Sequence, residues 1–187
     1  MKSISIALAF CFTLSIGLYA AQQDRSRLRS NPLIDYPSFL EIAQRTESIR
    51  EKSRLTEVQF MSLAKAKGTI VLDARSADKY ALRHIEGALN LPFTDFTVES
   101  LARVIPTKTT RILIYCNNNF SGSPSAFASK CAPAALNIST FISLATYGYE
   151  NVFELAPLLD VKTSRLKFAG SEVNPPSHAD DRAQPVK

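Results

Sequence analysis

Cys116 ends the run "RILIYC" and is followed at once by "NNNFSGS". A cysteine in that position invites nucleophilic chemistry, because the thiolate is the reactive form and its surroundings set its acidity. Asparagine tolerates left-handed backbone and glycine adopts it freely. Residues Asn117, Asn118, Asn119, Phe120, Ser121 and Gly122 are therefore expected to curl round the sulfur and turn their N–H groups on it, as an anion-binding concavity. Such a loop would lower the thiol pKa, so that iodoacetamide labels Cys116 well before Cys131. A second chemistry-bearing end is "TIVLDAR", which closes on Asp73 and Arg75. The plainer alternatives are a buried structural cysteine and an Asp73–Arg75 ion pair that shapes the site without reacting.

These ends act together only if a sheet brings them side by side. "TIVLDAR" and "RILIYC" are near-continuous apolar runs, the mark of strands buried on both faces of a parallel sheet. "ALNLP" and "NVFEL" read as two further strands. Helices fall between them. One opens on the capping box "TEVQ", with Thr56 and Gln59 as the reciprocal pair. A second, "TVESLARVIP", is capped by Thr97 and stopped by Pro106. A third, "STFISLATYGY", has Gly148 past its end. Strands alternating with helices predict an α/β domain with a mainly parallel central sheet flanked by helices. Ligands of such sheets bind outside the carboxyl ends of the strands, where Asp73, Arg75 and Cys116 fall.

The 187 residues hold one such domain with appendages. Residues 55–170 form the expected domain, and 22–54 a polar, helical N-terminal extension with Ser38 as its cap. Residues 171–187, "SEVNPPSHADDRAQPVK", have the composition of a disordered tail. The net charge of +5 is dispersed among apolar residues, with no basic stripe, which excludes nucleic acid as a partner. Lys2, an apolar run from Ile4 to Leu18 and small residues at Ala20 and Ala21 have the layout of a signal peptide over residues 1–21. The mature protein is thus expected to start near Ala21 or Gln22 and to be periplasmic or secreted, with no membrane attachment after cleavage. Loss of Cys11 would leave Cys116 and Cys131, which form no disulfide framework and have no metal-ligand spacing. Neither a metal nor a cofactor is expected. In an oxidising compartment the two thiols are free, reactive or joined to each other.

Leu55 to about Leu155 resembles the rhodanese-like domain, in "LTEVQFMSLAKAKGTIVLDARSADKYALRHIEGALNLP", then "ILIYC", then "GYENVFEL". The Asp73-x-Arg75 strand end and "HIEGALNLP" (His84 to Pro92) carry most of the likeness. The resemblance implies a sulfurtransferase in which Cys116 cycles between thiolate and persulfide. Its partners would be a small sulfur donor or a protein thiol acceptor. It also implies that Arg75 and residues 117–122 meet substrate, while Asp73 and His84 are structural at the site.

Departures from the family qualify this. Family loops active on thiosulfate usually carry a cation, and here Asn117 to Ser121 have none, Ser121 lying closest to the family's arginine. Thiosulfate, a dianion, is therefore expected to be a poor donor, with Lys130 the first substitute cation to consider. The sixth position after Cys116 is Gly122, so the Cys-x5-Arg loop of a phosphatase on this fold is absent. Asn151, at the next strand, comes 35 positions after Cys116, which makes part of "SPSAFASKCAPAALN" an insertion over the site. Cys131 within it is a bystander or a resolving partner for an oxidised Cys116. "APLLD" replaces the usual Gly-Gly after the last strand. The alternative function is a non-catalytic binding or redox-responsive module.

Overall fold

The computed structural model describes residues 31–173, so the expected signal peptide and the chain beyond Val173 lie outside the described residues. The described residues fall into two compact units that divide between Phe39 and Leu40. Helix α1 (Tyr36–Lys52) begins in the first and continues into the second. Asp35 caps it: its carboxylate accepts the Ser38 N–H at 3.0 Å and the Ser38 hydroxyl at 2.6 Å. Ser38, expected to cap, is the capped donor instead, since the carboxylate three residues earlier is placed to accept from it.

In the second unit the elements follow as β1 (Arg54–Leu55), α2 (Glu57–Ala64), β2 (Thr69–Asp73), α3 (Ala77–Leu82), β3 (His84–Ile85) and β4 (Leu89–Asn90). After these come α4 (Val98–Val104), β5 (Arg111–Tyr115), β6 (Phe120–Ser121), α5 (Leu136–Thr146), β7 (Val152–Leu155), β8 (Leu159–Asp160) and β9 (Phe168–Ala169). The central sheet has the order β1-β7-β5-β2-β4, and every pairing in it is parallel. This is the α/β architecture the apolar runs predict. β2 and β5 pair along their whole length, ending with Asp73 opposite Tyr115. Ala74 and Cys116 therefore leave the sheet side by side.

Ile112, Leu113, Ile114 and Tyr115 are buried in succession, as a strand covered on both faces requires. Leu113 and Tyr115 join Phe60 and Leu155 in one apolar layer, whereas Ile112 and Ile114 join Leu101, Phe141 and Leu144 in the other. Burying each of these side chains is worth about 1.5–3 kcal/mol. α2 starts on the predicted box: Gln59 N–H donates to Thr56 Oγ1 at 3.3 Å and Thr56 N–H to Gln59 Oε1 at 2.9 Å.

Hydrogen bonds tie flanking segments to the core of the second unit. Arg50 of α1 reaches the buried Glu154 of β7 with two hydrogen bonds, of 2.9 and 2.7 Å, so the C-terminal end of α1 is tied to a core strand. At the other end Ser171 and Glu172 N–H donate to the Ala81 and Leu82 carbonyls, and the Glu172 carboxylate takes the Ser123 hydroxyl. The expected tail thus begins with ordered residues, because it satisfies the carbonyls at the end of α3. Gly170 makes this turn with φ +117, and a Cβ there would lie 2.5 Å from the Leu82 carbonyl oxygen.

Gly170→Ala is expected to cost roughly 1–3 kcal/mol more than Gly68→Ala. Gly68 also has positive φ, but it faces open space. Urea unfolding of the two variants checks this, and equal midpoints would show that the turn yields without strain.

Candidate functional site

Asp73 and Arg75 are 0% and 2% exposed. Arg75 Nε donates to Asp73 Oδ1 at 2.9 Å and Nη2 to Asp73 Oδ2. Nη1 donates to the Ala126 carbonyl at 2.9 Å and Nη2 to the Arg83 carbonyl at 2.8 Å, while the guanidinium lies 4.3 Å from the Phe127 ring centre. Tyr115 donates its hydroxyl to Asp73 and accepts the Ile85 N–H at 3.1 Å. Burial, followed by the Asp73 charge, pushes the Tyr115 phenol well above its ordinary value. Arg75, expected to meet substrate, lines the cavity next to the site, with its fork committed to Asp73 and to two main-chain carbonyls. A buried guanidinium needs such partners to offset its desolvation. His84 is stacked on the Tyr80 ring at 3.7 Å, and its Nδ1–H donates to the Tyr80 carbonyl at 2.7 Å.

Cys116 follows β5 and is 2% exposed. The backbone N–H groups of Asn137, Asn118 and Leu136 are directed toward its sulfur and favour its anion. Leu136 and Asn137 are the first residues of α5, whose N-cap is Ala135, a residue with no side-chain acceptor. The thiol thus meets N–H groups that the helix itself leaves unpaired. α5 begins three residues before the predicted "STFISLATYGY", and alanine at the cap position explains why the start is missed. No Ser, Thr, Asp or Asn marks it.

The loop itself departs from expectation. Asn117–Asn119 is a single 3₁₀ turn. Asn119 Oδ1 accepts the Cys116 N–H at 2.8 Å and Asn137 Nδ2 at 3.1 Å, and its Nδ2 donates to the Leu155 carbonyl at 2.7 Å. One amide thus joins β5, α5 and β7. Beyond it the chain is extended rather than curled about the sulfur. Phe120 is buried against Tyr115, Phe127 and Phe168. Ser121 pairs with Asp160 in the parallel β6–β8 ladder, and Gly122 packs on the Asp160 carboxylate. Apolar burial of Phe120 competes with a cradle over residues 120–122, and burial wins.

Burial pushes the Cys116 thiol up; the three N–H groups oppose this, and the Glu154 charge adds to the rise. The expected lowering is overturned, because the sulfur is closed off from water to a degree that three amides do not offset. Glu154, opposite Ile114 in the β5–β7 ladder, is held by Arg50 and by Arg54 at 3.4 Å. Burial raises its carboxyl as well, with Arg50 and Arg54 pulling it back.

At Asn117, the residue after Cys116, opens a cavity of about 310 Å³, lined among others by Ala74, Arg75, Phe93, Leu136, Lys79 and Lys130. The expected insertion forms part of its wall. Asn118 fixes that segment: its Nδ2 donates to the Lys130 carbonyl and its Oδ1 accepts the Lys130 N–H, both at 2.9 Å. Lys79 Nζ donates to the Ser125 carbonyl at 2.6 Å. Ala126 and Phe127 of the same segment are buried, whereas Cys131 is exposed, and both Cys116 and Cys131 are free thiols. Among the described residues no group of three His, Cys, Asp or Glu assembles to hold a metal, and no helix is long and apolar enough to cross a membrane.

Residues 56–156, just over half of the chain, match the model of the rhodanese-like domain. No curated protein sequence matches. Among solved structures the fold is similar to a rhodanese-like domain from Anabaena sp., at 22% identity over 72% of this chain and 92% of that one, with a TM-score of 0.47. A Bacillus halodurans protein matches at 22% identity over 62% of this chain and 74% of its own, with a TM-score of 0.43. An Escherichia coli rhodanese solved with anions matches at 22% identity over 55% of this chain and 98% of its own, with a TM-score of 0.36.

Iodoacetamide at neutral pH is expected to label the exposed Cys131 first and the buried Cys116 slowly. Glu154→Gln removes a charge that raises the thiol, so its pH profile of Cys116 labelling should move to lower pH. Mass mapping of the labelled peptides checks both, and rapid labelling of Cys116 in the folded protein would contradict its burial.

Proposed function

This chain belongs to the rhodanese-like domain family, and from that premise we propose that it is a sulfurtransferase carrying sulfane sulfur as a persulfide on Cys116. One observation supports this reading above the others. The sulfur at the end of the central strand faces three backbone N–H groups, two of them from the start of an 11-residue helix. Fixed dipoles of this kind stabilise charge that develops on an atom during reaction.

In the loading step the Cys116 thiolate attacks the outer sulfur of a persulfide donor. A bond forms between Sγ and that sulfur, the donor's S–S bond breaks, and its electron pair leaves on the donor thiolate. Delivery repeats the step with an acceptor thiolate attacking the outer sulfur and Cys116 leaving as the thiolate. No oxidant or reductant is consumed. Because burial raises the thiol, ionisation precedes attack, and the loading rate climbs with pH through a value above that of an ordinary cysteine. A persulfide is a stronger acid than a thiol, so the loaded residue presents an anion to the amides more readily than the resting one.

Thiosulfate is a poor donor in this reading. Its charge adjoins the sulfur it gives up, Asn117 to Ser121 carry no cation, and Arg75 is committed to Asp73. The reading includes export: cleavage near Ala21 would place the enzyme in the periplasm or outside the cell, with small persulfides or protein thiols as partners.

Incubation with a low-molecular-weight persulfide at mildly alkaline pH should add one sulfur atom to the Cys116 peptide, read by mass spectrometry. Cys116→Ala should gain none and transfer none to an acceptor thiol. A wild-type protein that gains no sulfur would be a binding or redox-responsive module instead. N-terminal sequencing of protein from its own compartment should begin at Ala21 or Gln22, and Met1 retained in a membrane fraction would overturn export.

A further inference from the structure

The cavity at Asn117 is charged with one sign. Arg75, Lys79 and Lys130 line it, and no carboxylate does. Arg75 is spent on Asp73 and two carbonyls. Lys79 gives one of its three N–H bonds to the Ser125 carbonyl. Among the described residues the Lys130 ammonium has no carboxylate partner. Phe93 and Leu136 supply apolar wall to the same cavity.

Lys130 is also held in place relative to the thiol. The Asn118 side chain grips the Lys130 main chain through two hydrogen bonds of 2.9 Å, while the Asn118 backbone N–H is directed toward Sγ. One residue thus sets the spacing between sulfur and cation. The 3₁₀ turn next to the sulfur has no cation, while the cavity has two with free valence. A donor whose negative charge adjoins its sulfane sulfur is poorly served by that spacing. A donor whose anion stands several bonds away, beyond an aliphatic stem, fits it.

We propose that this cavity binds a small, carboxylate-bearing persulfide, with Lys130 and Lys79 selecting the carboxylate and Asn118 positioning Lys130. The proposal rests on the sulfurtransferase reading of Cys116. The bond changes are those of the loading step: the donor's S–S bond breaks as the Sγ–S bond forms, and the departing carboxylate-bearing thiolate takes its proton from solvent.

The test uses the persulfides of mercaptopropionate and of mercaptopropanol, which match in length and differ in charge. Each is reacted with the full chain, and sulfur gained on Cys116 is followed by mass spectrometry. Every rate is divided by that of the same persulfide with a free thiol. The wild type should favour the carboxylate about fivefold or more, the worth of one or two exposed ion pairs, and less so at high salt. Lys130→Met should lower this ratio, and Lys130→Met with Lys79→Met should bring it near one. Asn118→Ala, which frees the Lys130 main chain, should lower it part of the way. A wild-type ratio near one, or an undiminished ratio in the double variant, would overturn the proposal. Failure of both persulfides to load Cys116 would overturn the sulfurtransferase reading and the proposal with it, so loading by the neutral donor separates the two failures.

Discussion

A guanidinium buried at the end of β2 organises this domain. Taking Arg75 and Asp73 out of water carries a penalty that only near-complete pairing offsets, and three parts of the chain converge to provide it. Asp73 supplies the carboxylate, Ala126 and Arg83 supply carbonyls, and Phe127 supplies a ring face. Removing the arginine would leave Asp73 charged and buried, a change that in such settings costs about 3–5 kcal/mol. Through this one side chain the strand end, the turn before β3 and the segment after β6 become a single unit. The Tyr115 hydroxyl, on Asp73, extends the link to the strand that carries the cysteine.

That commitment shapes the electrostatics next door. With Arg75 turned inward, the sulfur of Cys116 is served by main-chain dipoles and the cavity by lysines. The two influences on the thiol oppose each other: burial disfavours its anion, and N–H groups of Asn137, Asn118 and Leu136 favour it. Burial wins at rest. A chemistry that forms its anion only in the reacting or loaded state suits such a balance, since preorganised dipoles act where charge develops. Asn119 holds the balance in place by tying the Cys116 N–H, Asn137 and the Leu155 carbonyl together.

The parallel sheet and the runs that form its main strands were legible in the amino acids, because continuous apolar runs such as "RILIY" have one comfortable place, a strand covered on both faces; the order of those strands in the sheet was not. The cap of α2 was legible as well, since Thr56 and Gln59 satisfy each other across three residues without help from elsewhere. These are local rules. What depends on distant partners was left to the tertiary structure. The start of α5 has alanine at its cap and is met by a sulfur some twenty residues back. Phe120 leaves the loop because Phe127 and Phe168 offer it a buried place. Arg75 faces inward because carbonyls from residues 83 and 126 are there to receive it. Above all, the acidity of Cys116 was beyond local reading. Of the dipoles that lower its pKa, one comes from nearby Asn118 and two from the distant start of α5, and only the packed fold excludes the water whose loss raises it.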